Sequence, residues 1–493
     1  MTAGSDWLER HPAPVALALF AAALALVLPM TGAQSIWFDE AVTLSNAQQS
    51  FDLARNMRGD ATPPLYPLLV HLWMRVFGAT IESARALSAL ASAGTAALLF
   101  QLGRRFLDAR TGLFAALLFG CSRFQIFFAH EARPYAVVVL LCTASFYVLL
   151  AQLESPTRRR VVLLGLLDAA LLYTHYVAVF ALAAQGLAVL PELRRAPRTF
   201  FAVLASQVLA VVLVLPLVVY VATTLWPLPM AGWLQTPTWR TFPTELAKLT
   251  GSSLLLALEA VLVVGGIAWV TRQRTGSDTR ASAPAFVPRQ VRVLALWAFA
   301  PLVVAYVVSF VEPVFLGRYL LYTAPGLFLL IAYVAARLPV AAALRASLVL
   351  ALCALSLAHA LRTPIVRPAW GEAATRVRAE LREGALAVVV PAHELLPFAY
   401  HFAPRSFAEP ARVPELLRGE GVVGLARLAD VPRLAGSGRD LLVLAPEATA
   451  AGAGTLTTEL AALGYVGPSR EDMPGLVLLR FSRPPDGTAQ PAP

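Results

Sequence analysis

The sequence predicts a polytopic α-helical membrane protein with about eleven spanning helices and a small soluble α/β domain at its C-terminal end. Three observations predict it. Apolar runs of spanning length recur from Pro14 to about Leu361. Arginine-rich loops follow every second run, and from Pro368 the composition becomes that of an ordinary soluble protein. The chain is 58% hydrophobic and 14% charged, with mean hydropathy +0.66; a typical soluble chain is about 25% charged.

The spans fall near 14–31, 85–103, 112–129, 134–152, 161–175, 177–191, 199–221, 251–271, 292–311, 318–336 and 345–361. Nineteen residues of helix measure about 28 Å, enough to cross the hydrocarbon layer. The first run, Pro14 to Met30, is too long for the apolar part of a typical signal peptide. No clear small-x-small cleavage site follows it, so it reads as a retained helix. Arg104, Arg105 and Arg110 follow the second span; Arg158, Arg159 and Arg160 the fourth; Arg194, Arg195 and Arg198 the sixth. Arg272, Arg274, Arg280, Arg289 and Arg292 surround the loop after the eighth, and Arg337 and Arg345 flank the turn after the tenth. Basic loops stay cytoplasmic. The expected location is therefore the inner (plasma) membrane, multi-pass, with the N-terminus cytoplasmic and the C-terminal domain extracytoplasmic. The segment PPLYPLLVHLWMRVFG (63–78) is apolar but short and proline-rich. Counting it as a span would put every later arginine cluster outside, so it is expected as a helix near the membrane surface.

The formal net charge of +10 raises the question of nucleic acid. The arginines sit in loops between apolar runs, with no basic stripe interleaved with aromatics, so no nucleic-acid partner is expected. Cys121, Cys142 and Cys353 each lie in an apolar run without metal-ligand spacing or a plausible disulfide partner, and read as buried small hydrophobes. No metal or cofactor is expected.

At the soluble end, WGEAATRVRAELREG (370–384) reads as an amphipathic helix stopped by glycine, and ALAVVVP (385–391) as a buried strand. HELLPFAYHF starts a second helix; DLLVLAP (440–446), TLTTELAALG (455–464) and GLVLLRF (475–481) read as strand, helix and strand. The expected division is a membrane domain over 1–364, with a first outer loop at 32–84, an α/β domain over 365–483 and a disordered Pro-rich tail over 484–493. The soluble domain carries no GxGxxG, Walker or nucleophile-elbow motif, and the chain shows no internal repeat.

Charges beside the membrane on the outer side are the informative ones, and four clusters fall there. WFDEA (37–41) brings adjacent carboxylates, Asp39 and Glu40, directly after the first span. One aligned carboxylate can take a proton from an attacking hydroxyl; an interfacial acidic pair capping a short helix is the commoner arrangement. In TPPLYPLLVHLW (62–73), Tyr66, His71 and Trp73 suit a sugar or headgroup, or simple interfacial anchoring. AHEARPYA (129–136) offers His130, Glu131 and Arg133. Arg133 suits a phosphate oxygen, or an internal pair with Glu131. EPVFLGRYLL (312–321) adds Arg318 and Tyr319, phosphate or headgroup candidates or an anchor. Asp168 and Glu259 lie inside spans; Asp168 either faces a cavity shared with Thr174 and His175 or pairs with a neighbouring helix.

Taken in order, WFDEA, PPLYPLLVHLW with FG, ARALSAL…LGRRF, EARPYA and GRYLLYTAPGL resemble the bacterial glycosyltransferases that use polyprenyl- or dolichyl-phosphate sugars. These are the relatives of protein O-mannosyltransferases and of lipid A aminoarabinose transferases. The resemblance covers about residues 14–340. It implies a GT-C fold and a lipid-phosphate-linked sugar donor. It implies Asp39 as the catalytic acid of the first outer loop, with Glu40 as second acid, and carries Arg133 and Arg318 over as family arginines. The family often has His or Lys before the paired prolines, where this chain has Thr62. Lys248, in the outer loop that also carries Trp226, Trp233 and Trp239, is a substitute cation. The function so implied is an inverting transfer of sugar from a polyprenyl-phosphate donor to a protein, lipid or polysaccharide hydroxyl on the outer face. The alternatives are a transporter or lipid flippase working through Asp168, Glu259 and Arg133, and a non-enzymatic assembly protein.

Overall fold

The computed structural model describes residues 3–49, 57, 62–225, 234–275, 288–363 and 366–483. Trp226, Trp233, Arg280 and the tail after Arg483 lie outside the described residues. Among the described residues seven helices are long and apolar enough to cross a membrane: Pro12–Met30, Ile81–Phe106, Tyr135–Glu154, Pro197–Leu225, Arg289–Val308, Gly317–Arg337 and Ala342–Arg362. Two more are bent pairs, Ala109–Cys121 with Arg123–Ala129 at 64° and Thr241–Thr250 with Ser253–Ala268 at 85°, giving up to nine spans. The remaining two expected spans coincide with shorter helical stretches, Arg158–Thr174 and Tyr176–Val189. The chain is thus a multi-pass helical membrane protein. Its apolar runs stand where the sequence puts them, while bends and short helices separate a run from a full crossing.

The chain divides into two compact units. The first holds residues 1–29, 53–69 and 84–364 and contains the membrane helices. Local chemistry sets their starts: the Asp108 carboxylate accepts from Thr111 N–H at 2.9 Å, and the Thr157 hydroxyl from Arg160 N–H at 3.3 Å. Small residues set their approach. Gly103 and Gly112 meet backbone to backbone where helix Ile81–Phe106 passes helix Ala109–Cys121, and a Cβ on either would overlap the other chain segment. Trp297 is fully buried, stacks on Phe146 at 4.3 Å and donates its indole N–H to the Tyr322 carbonyl at 2.8 Å. The Cys121 and Cys353 thiols, which the spacing gave no reason to pair, lie within hydrogen-bonding reach of each other, and both are free.

The second unit joins residues 30–52 and 70–83 to residues 365–493, so most of the first outer loop clusters with the C-terminal residues. Its core is a five-stranded sheet in the order β2-β1-β3-β5-β4. The strands are β1 (Leu386–Val389), β2 (Val422–Gly424), β3 (Leu441–Pro446), β4 (Val466–Met473) and β5 (Leu476–Ser482). β1 pairs in parallel with β2 and β3, while β5 runs antiparallel to β3 and β4. Val388, Val443 and Leu479 fill one face with Leu460 and Tyr465. Trp370 opens helix Trp370–Leu381 and packs edge-on against Phe398 of helix Leu395–Phe402 at 6.1 Å. The expected strands and helices are present. β2 and β4 are additions: β2 is three residues long, and β4, VGPSREDM, is polar and mostly exposed on the sheet edge, so neither has an apolar run to betray it.

Candidate active site

The acidic pair opens helix Phe38–Gln48 in the second unit. Trp37 is extended and caps the helix, placing Asp39 and Glu40 in its first turn, where the positive end of the helix dipole favours carboxylates. Glu40 is fully buried and Asp39 half-buried. Both roles open to such a pair are therefore compatible with this placement, but the two carboxylates differ: Asp39 is the more accessible. The Thr43 hydroxyl donates to the Asp39 carbonyl at 2.9 Å, tightening the first turn. Around this turn the unit supplies further contacts. The Arg367 guanidinium lies 4.7 Å from the Trp37 ring, and Gly371 N–H donates to Ser35 Oγ at 3.4 Å. The Phe38 ring meets the His393 ring edge-on at 4.9 Å.

Helix Leu65–Phe77 carries three of the aromatic or cationic candidates. His71 is buried and its Nδ1 is hydrogen-bonded with the Ala47 carbonyl at 2.8 Å, so it ties this helix to the acidic-pair helix. Trp73 donates its indole N–H to the Ser83 carbonyl at 2.8 Å. These bonds give both residues a structural task. Tyr66 is buried on the same helix.

In the first unit a second constellation forms where helix Tyr135–Glu154, the turn at His175 and the 3-10 segment Gly317–Thr323 converge. The His175 ring lies 5.1 Å from Tyr319 and 6.1 Å from Tyr135. The charges of Arg133 and Arg318 both bear on Tyr135 and on His175, which puts the two guanidiniums around one aromatic cluster. Arg133 and Glu131 are buried, and the Arg318 guanidinium lies 5.6 Å from the Tyr319 ring. His175 Nδ1 accepts from Val177 N–H at 3.3 Å, leaving the neutral imidazole's proton on Nε2. Tyr322 donates to the Val177 carbonyl at 3.0 Å and clamps the two segments. Two arginine forks and aromatic hydroxyls in one place are suited to an anion such as a phosphate.

Lys248 reaches this segment through a partner the sequence reading missed. Glu245, buried on helix Thr241–Thr250, accepts Lys248 Nζ at 2.6 Å with one oxygen and Gly317 N–H at 2.8 Å with the other. A Cβ at Gly317 would overlap that second oxygen, so the glycine is required by the contact. Stacked Phe242 and Phe315, 5.8 Å apart, hold the same helix against the approach to Gly317. Lys248 itself is half-exposed at 48% and beside the residue preceding Arg318 in space. Trp239 is exposed, with the Arg240 guanidinium 4.9 Å from its ring.

Other candidates find different partners. His130 Nε2 is hydrogen-bonded with the Val27 carbonyl at 2.8 Å, which pins the AHEARPYA turn to the first helix. Asp168 does not stand open to a cavity with His175: its Oδ1 accepts from Ser145 Oγ at 2.5 Å and from Gln185 Nε2 at 3.0 Å, a polar knot linking three helices. Among the described residues no group of three or more His, Cys, Asp or Glu side chains is placed to hold a metal ion. The sequence reading missed His175 as an associate of the arginines, Glu245 and His393. Glu245 was legible three residues before Lys248, at helical spacing; the others come from distant segments.

Fold and comparisons agree on the class. Residues 61–220 match the family of dolichyl-phosphate-mannose-protein mannosyltransferases. The fold is shared with ArnT from Cupriavidus metallidurans in the apo state, with a TM-score of 0.58 and 13% identity over 97% of this chain and 98% of that one. ArnT bound to undecaprenyl phosphate gives 0.57 and 13% over the same shares. Comparison with curated protein sequences finds no match. The chain is a membrane protein of GT-C fold that resembles the superfamily of ArnT and the protein mannosyltransferases.

Proposed function

We propose that this protein is an inverting glycosyltransferase that transfers a sugar from a polyprenyl-phosphate donor to a hydroxyl acceptor on the outer face of the membrane. The observation that carries the reading is the ArnT-like fold over nearly the whole of both chains. The family match over the segment that holds EARPYA supports it. So does ArnT's undecaprenyl phosphate, a lipid phosphate of the class proposed here. Asp39 takes the proton of the acceptor hydroxyl, whose oxygen attacks the anomeric carbon opposite the phosphate. The sugar–phosphate bond breaks and the lipid phosphate leaves as an anion. Arg133 and Arg318, assisted by Lys248 and the Tyr319 ring, stabilise that charge. Glu131, His130 and Tyr66 shape the binding segments, and Glu40 orients the acidic turn. The α/β domain at 365–483 faces the extracytoplasmic side with the acidic loop. Asp168 Oδ1 is hydrogen-bonded between helices, which gives this residue a structural task apart from the pathway role that a transport reading assigns to Asp168, Glu259 and Arg133.

Purified protein incubated with a panel of labelled polyprenyl-phosphate sugars and hydroxyl acceptors tests the proposal. Release of lipid phosphate matched to acceptor glycosylation is expected from one donor class. Movement of an intact lipid-linked sugar across vesicles without bond cleavage would instead establish a flippase.

A further inference from the structure

We propose that His175 is a further phosphate-binding residue, whose neutral imidazole donates an Nε2–H hydrogen bond to the phosphate of the lipid-linked sugar beside Arg133 and Arg318. The inference rests on the lipid-phosphate reading of that cluster and adds an uncharged hydrogen-bond donor to its two guanidiniums. Its ground is the way the turn is built. Helix Arg158–Thr174 ends where His175 takes an extended backbone, and the 3-10 turn Tyr176–Ala178 starts on the next residue. The ring caps this turn, with Nδ1 accepting from Val177 N–H at 3.3 Å. Capping needs only one acceptor close to the backbone, and Ser, Thr, Asp or Asn supplies it with a shorter side chain. Histidine adds a second nitrogen farther out. With Nδ1 accepting, the neutral ring carries its proton on Nε2. Among the described residues the Val177 bond is the ring's only hydrogen bond, so that N–H is left for a ligand.

The surroundings define the kind of acceptor that fits. The imidazole lies 5.1 Å from the Tyr319 ring and 6.1 Å from the Tyr135 ring. The Arg318 guanidinium lies 5.6 Å from the same Tyr319 ring, and Arg133 stands two residues ahead of Tyr135. Val177 is fastened twice, by its N–H to His175 and by its carbonyl to the Tyr322 hydroxyl at 3.0 Å. The second bond ties the turn to the 3-10 segment that carries Arg318 and Tyr319. The charges that bear on the imidazole are those of the two arginines, both positive. A neutral N–H therefore adds a hydrogen bond for an anion without adding like-charge repulsion. The next residue, Tyr176, lines an apolar cavity of about 400 Å³ with Leu172, Val179, Val214 and Leu217. Successive residues of one turn thus offer a polar donor and an apolar surface, the two chemistries of a phosphate joined to a hydrocarbon chain.

The bond gains strength as the reaction proceeds. When the anomeric carbon–oxygen bond breaks, its electron pair stays on the phosphate oxygen, and the diester monoanion becomes a lipid phosphate dianion. The acceptor's proton goes to the base proposed above. His175 keeps its own proton throughout and holds the growing charge by hydrogen bonding alone.

The test is equilibrium binding of undecaprenyl phosphate to the full-length protein in detergent, with undecaprenol as the control that lacks the phosphate. His175→Asn keeps an acceptor for Val177 N–H and loses the outer donor. His175→Gln loses that cap but carries an amide N–H near the Nε2 position, and His175→Met has the same length without the N–H. His175→Asn and His175→Met are expected to bind undecaprenyl phosphate roughly 10- to 100-fold more weakly than wild type, the range for a hydrogen bond to a charged group. His175→Gln should bind it roughly tenfold more tightly than His175→Met. Undecaprenol should bind all four proteins equally. Wild-type affinity in His175→Asn, or equal affinity in His175→Gln and His175→Met, makes the ring a cap alone and overturns the proposal. A loss shared by undecaprenol overturns it too, because it marks a damaged fold and not a lost phosphate contact. If His175→Asn does not fold, the Gln and Met pair decides. A wild type that binds both lipids equally fails the phosphate reading of the whole arginine cluster, and the inference with it. A wild type that prefers the phosphate, with variants unchanged, fails the inference alone.

Discussion

At the scale of single residues, Asp39 and Glu40 differ by environment more than by chemistry. Glu40 is sealed in the fold while Asp39 keeps partial access to solvent, which favours Asp39 over Glu40 as the proposed base. A correctly positioned general base is typically worth 10²–10⁴-fold. Asp39→Asn, which keeps the shape and loses the basicity, is therefore expected to lower turnover by about that factor with saturating donor. Glu40→Gln should be milder in turnover, provided the amide fits the buried position. Near-normal turnover of well-folded Asp39→Asn would remove it as the base and make Glu131 or Glu40 the next candidate. Arg133→Gln removes a planar fork that Lys could not reproduce, and its loss should raise the donor KM while leaving insertion intact. The arginines were legible because loops beside a membrane expose their charges in sequence. His175 was not, because a single histidine after a span looks ordinary until the fold supplies its neighbours.

At the scale of elements, the contact between helix Thr241–Thr250 and segment Gly317–Thr323 depends on the absence of one carbon. Glu245 occupies the space a side chain at 317 would need, and it bonds both the Gly317 N–H and Lys248. Gly317→Ala is thus expected to push Glu245 away, shift Arg318 and Lys248, and weaken donor binding more than it alters the acceptor KM. Glu245→Gln should be gentler, since its amide oxygen still accepts from Gly317 while only the charge contact with Lys248 is lost. Equal donor affinity in wild type and Gly317→Ala, measured by lipid-phosphate binding, would disconnect this helix from the phosphate segment. The Asp168 knot makes the opposite forecast. Asp168→Asn retains an acceptor for Ser145 and Gln185, so activity should persist. Asp168→Leu strands two buried polar groups at about 1–3 kcal/mol each and should show as lower thermal stability in detergent. Sequence periodicity located these helices well because burial in lipid demands unbroken apolar runs. It did not foresee the 64° break at Ser122, inside an expected span, nor the helix Thr241–Thr250 that meets the start of another at an 85° break at Gly251–Ser252.

At the scale of the whole molecule, the arginine alternation and the assignment of the acidic loop to the outer face stand or fall together. Arg158, Arg159 and Arg160 begin a helix directly after the exposed turn at Ser155, whereas Ser437 lies exposed in the C-terminal domain, many residues beyond the last span. Lys and Arg in short loops resist translocation, so the Ser155 turn should remain inside and the domain should be carried across. A cysteine at Ser437 is expected to react with an impermeant thiol reagent in intact cells. A cysteine at Ser155 is expected to react only after the membrane is opened. The native Cys142 and Cys353 are buried and Cys121 partly so, which keeps the background of the parent protein low. Eleven crossings are expected and, among the described residues, up to nine helices meet the length and apolarity of a span; both counts are odd, and the labels test that parity. An even number of crossings would return Ser437 to the cytoplasm. Labelling at Ser155 alone in intact cells would reverse the orientation. It would place Asp39 and the C-terminal domain inside, and would require an acceptor and a lipid-linked donor on the cytoplasmic leaflet.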